Sequence, residues 1–157
     1  MPTLTALALL LVATGPLTGK VVSVHDGDTV TLLDSENVKH KVRLSGIDAP
    51  ELGQDFGKRS KQALADKIAD KQVTVETHGT DRYGRTLGTI YVDGKDVNLE
   101  MVAEGMAWWY KRYAPKDPAL ERAESAARVD KLGLWDGKPI EPWEWRKQEK
   151  ERRTRAK

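Results

Sequence analysis

Three short segments of the chain carry acidic and basic side chains that could act together on a phosphate ester. The segments are His25-Asp26-Gly27-Asp28-Thr29, Arg43-Leu44-Ser45-Gly46-Ile47-Asp48-Ala49-Pro50-Glu51 and Asp81-Arg82-Tyr83-Gly84-Arg85. A hard divalent cation needs oxygen ligands, an attacking water needs a base, and a phosphate that gains negative charge needs fixed cations. The candidates for these three tasks are Asp28, Arg43, Asp48, Glu51 and Arg85.

Asp28 and Asp48 are the candidate metal ligands, and the main-chain carbonyl of Ala49 is a candidate third oxygen. Asp28 follows Asp26-Gly27 at an expected hairpin turn, and Asp48 directly follows an expected strand. Calcium accepts carboxylate and carbonyl oxygens in loose geometry. The alternative is that Asp-Gly is only a good turn former, and for Asp26 this is the preferred interpretation.

Arg43 and Glu51 are the next candidates. Arg43 lies in an alternating strand and is expected to point away from its apolar neighbours. A surface arginine is the alternative, and the residue alone does not separate the two. Glu51 is the candidate general base. An acidic residue leading into a helix is an equally good interpretation of its position.

Arg85 follows Gly84 and precedes an expected strand. The planar guanidinium of an arginine can contact two phosphate oxygens at once, and Arg85 is therefore a candidate phosphate-binding residue. Arg82 and Tyr83 could contact a second phosphate or a base. For Arg82 and Tyr83, an exposed polar loop is as good an interpretation.

The composition indicates one soluble globular domain. The chain has 157 residues, of which 32% are charged, and no cysteine, which excludes a disulfide scaffold, a zinc ribbon and a thiol nucleophile. The net charge of +2 hides an asymmetry, because residues 142–157 hold seven Lys or Arg against three Glu. Any attraction for a polyanion must therefore be local.

The first residues have a different pattern. Leu4 to Ala13 is an apolar run of the length of a secretory signal core, although no basic residue precedes it. We therefore expect residues 1–18 to be a signal peptide or an apolar anchor and the protein to be exported, periplasmic or secreted. Membrane association is expected only if this segment stays uncleaved. The alternative is a buried first strand or helix.

The body of the chain predicts a β-dominated α+β fold. Short alternating runs around Val21–Val24, Thr29–Leu33 and His40–Leu44 predict a meander. Val73–Val75 and Leu87–Val92 predict two further strands, with a polar loop over Thr77–Arg85 between them. Five strands with about three helices fit a small closed OB-type barrel.

The expected helices run from Gln54 to Asp70, from Asn98 as N-cap to Gly105, and from Pro118 to Leu132. Together with the strands they predict a domain over residues 19–140. Residues 141–157 form a charged tail, and a frayed, solvated helix is the preferred interpretation over a nucleic-acid-binding arm. Trp135 is expected in the core, whereas Trp108 and Trp109 could stack on bases or close the core.

The motifs taken together resemble the staphylococcal nuclease family. The matching features are Asp-Gly-Asp-Thr, Arg-Leu-x-x-Ile-Asp-Ala-Pro-Glu, Asp-Arg-Tyr-Gly-Arg, Val-Asn-x-x-Met-Val-x-x-Gly-Met-Ala and Gly-Leu-Trp, which extend from about Leu17 to Trp135. One difference is that some members have Thr where Ala49 stands. The segment around Trp108–Tyr113 does not align cleanly.

The resemblance implies an OB-fold nuclease that requires Ca2+, cleaves DNA and RNA with little sequence preference and leaves 3′-phosphate ends. It assigns Asp28, Asp48 and the Ala49 carbonyl to the metal, Glu51 to the water, and Arg43 and Arg85 to the phosphate. We expect a monomer without an organic cofactor. The alternative is a catalytically inert OB module that binds single-stranded nucleic acid or a protein partner.

Overall fold

The structure is a computed structural model that describes residues 15–156. Its strands are β1 (Leu17–Asp26), β2 (Thr29–Leu33), β3 (Lys39–Leu44), β4 (Ile47–Asp48), β5 (Gln72–Thr80), β6 (Thr86–Val92), β7 (Lys95–Asp96) and β8 (Trp108–Trp109). Its helices are α1 (Gly57–Ile68), α2 (Val97–Ala103), α3 (Pro118–Val129) and α4 (Pro142–Arg155), with a 3-10 turn at Gly133–Asp136.

Five strands close into a barrel. They hydrogen-bond in the order β3-β2-β1-β5-β6, and β6 then pairs with β3 in parallel, through Val42 with Thr86 and Leu44 with Gly88. Closure leaves the barrel without a free edge between its first and last strands. The prediction of a β-dominated α+β protein with an OB-type barrel is therefore confirmed, with four α-helices rather than about three in residues 15–156.

Alternation along each strand builds the core. In β3, Val42 and Leu44 are fully buried, whereas Arg43 between them turns its side chain to the other face. In α1, Leu64 and Ile68 lie one turn apart and pack into the same core. Burying each such side chain stabilises the fold by roughly 1.5–3 kcal/mol. Arg43 is thus held at a fixed register next to a rigid interior.

Several predicted boundaries differ from the structure. β1 begins at Leu17, so Leu17 and Thr18 of the predicted 1–18 segment belong to the barrel. Residues 1–14, with the apolar run, lie outside the described part of the chain. β5 continues to Thr80, through residues that were predicted to be loop. The prediction was wrong there because the side chains are exposed and polar and show no apolar alternation, although the backbone pairs with β6.

The helix ends also differ. α1 begins at Gly57 rather than Gln54, and α3 ends at Val129 rather than Leu132. The N-cap of α2 is Asp96, whose side chain accepts a hydrogen bond from the backbone N–H of Leu99. The predicted cap, Asn98, is buried instead and hydrogen-bonds to the backbone of β6 and of the loop after β3. Among the described residues, no helix combines the length and the apolar character needed to cross a bilayer.

Candidate active site

The turn between β1 and β2 places Asp28 beside the loop that follows β4. Gly27 makes this approach possible, because a Cβ at this position would lie 1.9 Å from Ser60 Oγ and 2.7 Å from the Ala49 side chain. Asp28 Oδ2 accepts a hydrogen bond from the Ala49 N–H at 2.7 Å, and Oδ1 accepts from the Thr29 hydroxyl at 2.9 Å. Asp28 is therefore a buried, oriented carboxylate that joins two parts of the chain.

Asp26 has the turn role that was preferred for it. Its Oδ1 accepts the backbone N–H of Asp28 at 3.1 Å. Burial, together with the negative charge of Asp28, raises the pKa of Asp26 to about 7. The turn therefore carries two closely spaced carboxyl groups of which Asp28 lies deeper.

Arg43 lies between the two candidate metal ligands. Its Nη2 is 3.2 Å from Asp28 Oδ2 and 3.3 Å from Asp48 Oδ1. Its Nη1 donates to the backbone carbonyls of Leu44 and Ile47. Because one nitrogen contacts both carboxylates, the distance between Asp28 Oδ2 and Asp48 Oδ1 cannot exceed the sum of these two distances. The predicted convergence of Asp28 and Asp48 is present.

Asp48 lies in the short strand β4 and its side chain is buried. β4 pairs antiparallel with β8, so that Asp48 is opposite Trp108. The Asp48 side chain is 1% exposed. Burial raises the pKa of Asp48, and hydrogen bonds from Arg146 oppose this rise. A buried carboxylate of this kind needs a cation nearby to stay ionised.

Glu51 lies at the rim of the same cluster, in the loop between β4 and α1. Its backbone N–H donates to the side chain of Gln54, and its carbonyl accepts the Gln54 N–H. Gly57 allows α1 to approach closely, since a Cβ there would lie 2.0 Å from the Glu51 carbonyl oxygen. The carboxylate of Glu51 is 34% exposed and so remains accessible to water.

Arg146 completes the cluster, and the sequence did not indicate it. Its Nη1 donates to Asp48 Oδ1 at 3.2 Å and to Glu51 Oε1 at 2.8 Å, and its Nη2 donates to Asp48 Oδ2 at 2.7 Å. Burial alone would lower the pKa of Arg146, but the hydrogen bonds to Asp48 and Glu51 outweigh it and raise that pKa. Arg146 therefore links the second candidate ligand to the candidate base as a permanent cation.

Helix α4 can bring Arg146 to this place because its first turn is anchored. The Trp143 ring stacks on Tyr110 at a centroid distance of 5.4 Å and meets the edge of Trp108 at 6.4 Å. Pro142 is buried, and Gln54 donates to the carbonyl of Ile140 just before the helix. The frayed, solvated helix predicted for the tail is thus anchored at its start. The signal in the sequence was a pair of tryptophans, Trp143 and Trp145, ahead of the charge run.

Arg85 is positioned by its own loop. Its Nε donates to Asp81 Oδ2 at 2.7 Å, and Asp81 Oδ1 accepts the backbone N–H groups of Tyr83 and Arg85. Burial tends to raise the pKa of Asp81, but these bonds lower it overall. Within residues 15–156, no hydrogen bond or ion pair joins Arg85 to the Asp28–Asp48 cluster. Arg82 and Tyr83 lie exposed in this loop, with the Arg82 guanidinium 4.9 Å from the Tyr83 ring centre.

The tryptophans are mostly structural. Trp108 and Trp109 are 2% and 6% exposed, which favours the core interpretation for both. Trp109 donates its ring N–H to the carbonyl of Ala114. Trp135 packs its ring against Trp108 at 5.5 Å and under the guanidinium of Arg128 at 3.8 Å.

The charges of the cluster suit a hard cation. Three carboxylates, Asp28, Asp48 and Glu51, face two guanidinium groups, Arg43 and Arg146, so one negative charge is not balanced. In the part of the chain that the structure describes, no three His, Cys, Asp or Glu side chains form a complete metal site. Two carboxylates converge, and a cation bound there would need carbonyl or water oxygens as well, as calcium commonly uses.

The closed five-stranded barrel carries a cluster of three carboxylates and two guanidinium groups, which are the kinds of side chain that phosphodiester hydrolysis uses. Comparison with known proteins gives the same class. Residues 41–137 match the family described as staphylococcal nuclease homologue. A Haemophilus influenzae protein described as an uncharacterized endonuclease is 48% identical over 134 residues, which are 85% of this chain and 75% of that protein.

Two further relatives match most of the chain. The micrococcal nuclease of Shigella flexneri is 41% identical over an alignment of 160 positions, gaps included, which covers 92% of this chain and 91% of that protein. The protein ParB of Escherichia coli is 44% identical over an alignment of 163 positions, gaps included, which covers 94% of this chain and 91% of that protein. The chain belongs to the staphylococcal nuclease family and is a nuclease of the hydrolase class.

Proposed function

We propose that this nuclease is an endonuclease that requires Ca2+ and cleaves DNA and RNA with little sequence preference. The observation that carries the proposal is the convergence of Asp28 and Asp48 on one nitrogen of Arg43, with Glu51 joined to the same cluster through Arg146. Contacts to phosphate rather than to bases position a substrate without reading its sequence.

Glu51 is the proposed general base. Its partly exposed carboxylate accepts a proton from a water whose oxygen attacks the phosphorus. The bond from phosphorus to the 5′-oxygen breaks and that oxygen takes a proton from solvent water, while Glu51 releases its own proton to solvent. The products are a 3′-phosphate and a 5′-hydroxyl. Arg43 lies next to the buried carboxylates, where a guanidinium stabilises the negative charge that develops on the phosphate oxygens.

The residues proposed to hold Ca2+ are Asp28 and Asp48, with the carbonyl of Ala49. When bound, the ion would act as a Lewis acid on a phosphate oxygen and lower the pKa of a nearby water. Asp28 and Asp48 are oriented by the Ala49 N–H and by Arg43, so neither depends on the ion for its position.

Arg85, Arg82 and Tyr83 are proposed to contact the substrate. Asp81 fixes the side chain of Arg85 and the shape of its loop, and this supports a role as a second, oriented phosphate-binding cation. The exposed side chains of Arg82 and Tyr83 lie next to it.

Digestion of plasmid DNA and of RNA, with and without a calcium-specific chelator, tests the proposal. We expect cleavage that stops on chelation and resumes when Ca2+ is added, with 3′-phosphate ends on the products. Glu51→Gln should reduce turnover far more than it weakens substrate binding. Cleavage that chelation leaves unchanged would contradict the metal assignment, and binding without any cleavage would favour the inert OB module.

We also propose that the protein is exported and acts as a monomer. The support for export is the apolar run Leu4 to Ala13. Mass spectrometry of the mature N-terminus in fractionated cells tests this. A cut that preserves β1 must fall before Leu17, because that residue already pairs with Val75.

A further inference from the structure

A groove runs from Glu51 along one side of helix α4. It has a volume of about 510 Å³, and α4 supplies most of its lining. The lining residues from α4 include Trp145, Arg146, Lys150 and Arg153. The groove therefore begins at the proposed general base and leads away from it over the C-terminal helix.

The three cations in the groove lie on one face of α4. Arg146, Lys150 and Arg153 are spaced four and three residues apart, which places them on one side of a helix. With a rise of 1.5 Å per residue they extend over about 10 Å. A nucleic-acid strand that rises 3.4 Å per nucleotide covers that length with about three nucleotides.

The outer two cations are available to a ligand. Among residues 15–156, no carboxylate lies within ion-pair distance of Lys150 or Arg153, whereas Glu149 in the same groove is paired with Arg152. The inner cation, Arg146, is bound to Asp48 and Glu51. Beyond Arg146, Lys150 and Arg153 therefore extend the positive charge away from the cluster, and their charges are not used in ion pairs within residues 15–156.

Trp145 gives the groove an aromatic wall. Its ring lies over Gly53, close enough that a Cβ added to Gly53 would be 3.6 Å from the ring. Aromatic side chains in a basic groove stack on bases without selecting among them, at about 1–3 kcal/mol per base. The anchoring of α4 by Trp143 and Pro142 keeps this wall in place without a ligand.

We propose that this groove binds the sugar-phosphate backbone of a polynucleotide strand leading away from the bond that is cleaved. This inference rests on the proposed function, because it is the position of Glu51 that makes the groove an extension of the cleavage site. Lys150 and Arg153 contact successive phosphates, and Trp145 stacks on a base. The groove opens at the proposed base rather than on a remote face, and this favours the substrate over an anionic lipid surface as its ligand.

The test compares two double variants that remove the same charge from α4. Lys150→Gln with Arg153→Gln changes the groove, and Lys147→Gln with Arg155→Gln changes two cations that do not line it. The binding of a labelled single strand of about 20 nucleotides is followed by fluorescence anisotropy at several salt concentrations, with a chelator present. The strand is checked for integrity after each titration.

We expect the groove variant to bind the strand at least tenfold more weakly. The slope of log Kd against log salt should fall by about 1.4, which corresponds to two lost phosphate contacts at about 0.7 each. The control variant should change Kd less than threefold. In cleavage assays, the ratio of kcat/KM for the long strand to kcat/KM for a single-diester nucleotide substrate should fall tenfold in the groove variant alone.

Equal weakening by the two double variants would overturn the proposal, because it would show a general charge effect. Unchanged strand binding by the groove variant, with loss of binding to vesicles rich in anionic lipid, would also overturn it and assign the face to a membrane. Strand binding that depends on the groove in a protein that cleaves nothing would contradict the proposed function while supporting the groove. Cleavage that is normal on both substrates in the groove variant would contradict the groove alone.

Discussion

Arg146 hydrogen-bonds to both carboxylate oxygens of Asp48, at 2.7 and 3.2 Å, although 98 residues separate them in the chain. The same guanidinium holds Glu51. Asp48 is a proposed calcium ligand, so the oxygens that a cation would use are also those that Arg146 uses. A charge-assisted pair with two contacts is among the stronger polar interactions in a protein.

Arg146→Gln should therefore tighten Ca2+ binding. Without the guanidinium, Asp48 Oδ2 is free, Asp48 Oδ1 keeps only its contact with Arg43, and the cluster gains one negative charge. We therefore expect the Kd for Ca2+ to fall on the order of tenfold, equivalent to about 1.4 kcal/mol. Isothermal titration without nucleic acid measures this directly. Arg152→Gln is the matched control, because among residues 15–156 Arg152 forms an ion pair with Glu149 alone and contacts neither Asp48 nor Glu51. An unchanged or weaker affinity in Arg146→Gln would show that the guanidinium does not compete for the site.

Asp28 should contribute to stability as a hydrogen-bond acceptor and to activity through its negative charge. Asp28→Ala leaves the buried N–H of Ala49 without its acceptor, so we expect a loss of about 1–3 kcal/mol in the free energy of unfolding. Asp28→Asn can still accept from Ala49 and should lose less, whereas both variants lack the charge and should lose cleavage. Urea unfolding and a plasmid digestion assay separate the two effects. Normal turnover in Asp28→Asn would remove this residue from the metal site.

A lysine in place of either arginine of the Asp81–Arg85 loop tests which cation meets the phosphate. Arg85→Lys can still pair with Asp81 but cannot form two parallel hydrogen bonds, so we expect kcat to fall by on the order of 10². Arg82→Lys, in an exposed position, should change kcat much less. Equal effects of the two substitutions would show that the loop supplies only general positive charge.

Asp96 should give the fold a measurable pH dependence. Burial, with added repulsion from Asp117 and Glu100, raises the pKa of this capping carboxyl above its ordinary value, although hydrogen bonds from the backbone of Leu99 and Asn98 oppose the rise. The folded state therefore binds the proton more tightly than the unfolded state, and this contribution to stability is lost as pH rises through the raised pKa.

Asp96→Asn keeps the cap acceptor for the Leu99 N–H but does not titrate. Its stability relative to the wild type should therefore increase between about pH 4 and pH 7, as measured by urea unfolding at each pH. A constant difference, or one that changes in the opposite direction, would contradict the assignment.

The barrel could be predicted because its strands alternate and its turns carry glycine. Val42 and Leu44 point inward on either side of Arg43, and this pattern is visible in the residues alone. The second half of β5 could not be predicted, since the residues that pair with β6 there are exposed and polar on both faces. The cap of α2 was misassigned because Asn98 has side-chain chemistry suited to a cap, whereas the structure uses it to satisfy buried backbone groups.

Within the site, the sequence motifs predicted that Asp28 and Asp48 lie close enough to share an ion, and the structure brings both side chains to one nitrogen of Arg43. It did not predict Arg146. The charge run around Arg146 has no apolar periodicity that assigns one face to the body of the protein. The contact depends on the stacking of Trp143 on Tyr110, and although the two tryptophans Trp143 and Trp145 indicate that the start of the tail is anchored, they do not indicate which distant residue it packs against.

The packing of Trp143 also determines where the chain can be shortened. The family match ends at residue 137, but the aromatic stack of Tyr110, Trp108 and Trp143 continues past that point. A recombinant fragment ending at 137 would present bare indole and phenol rings to solvent and would invite self-association. The smallest piece worth expressing therefore extends through α4.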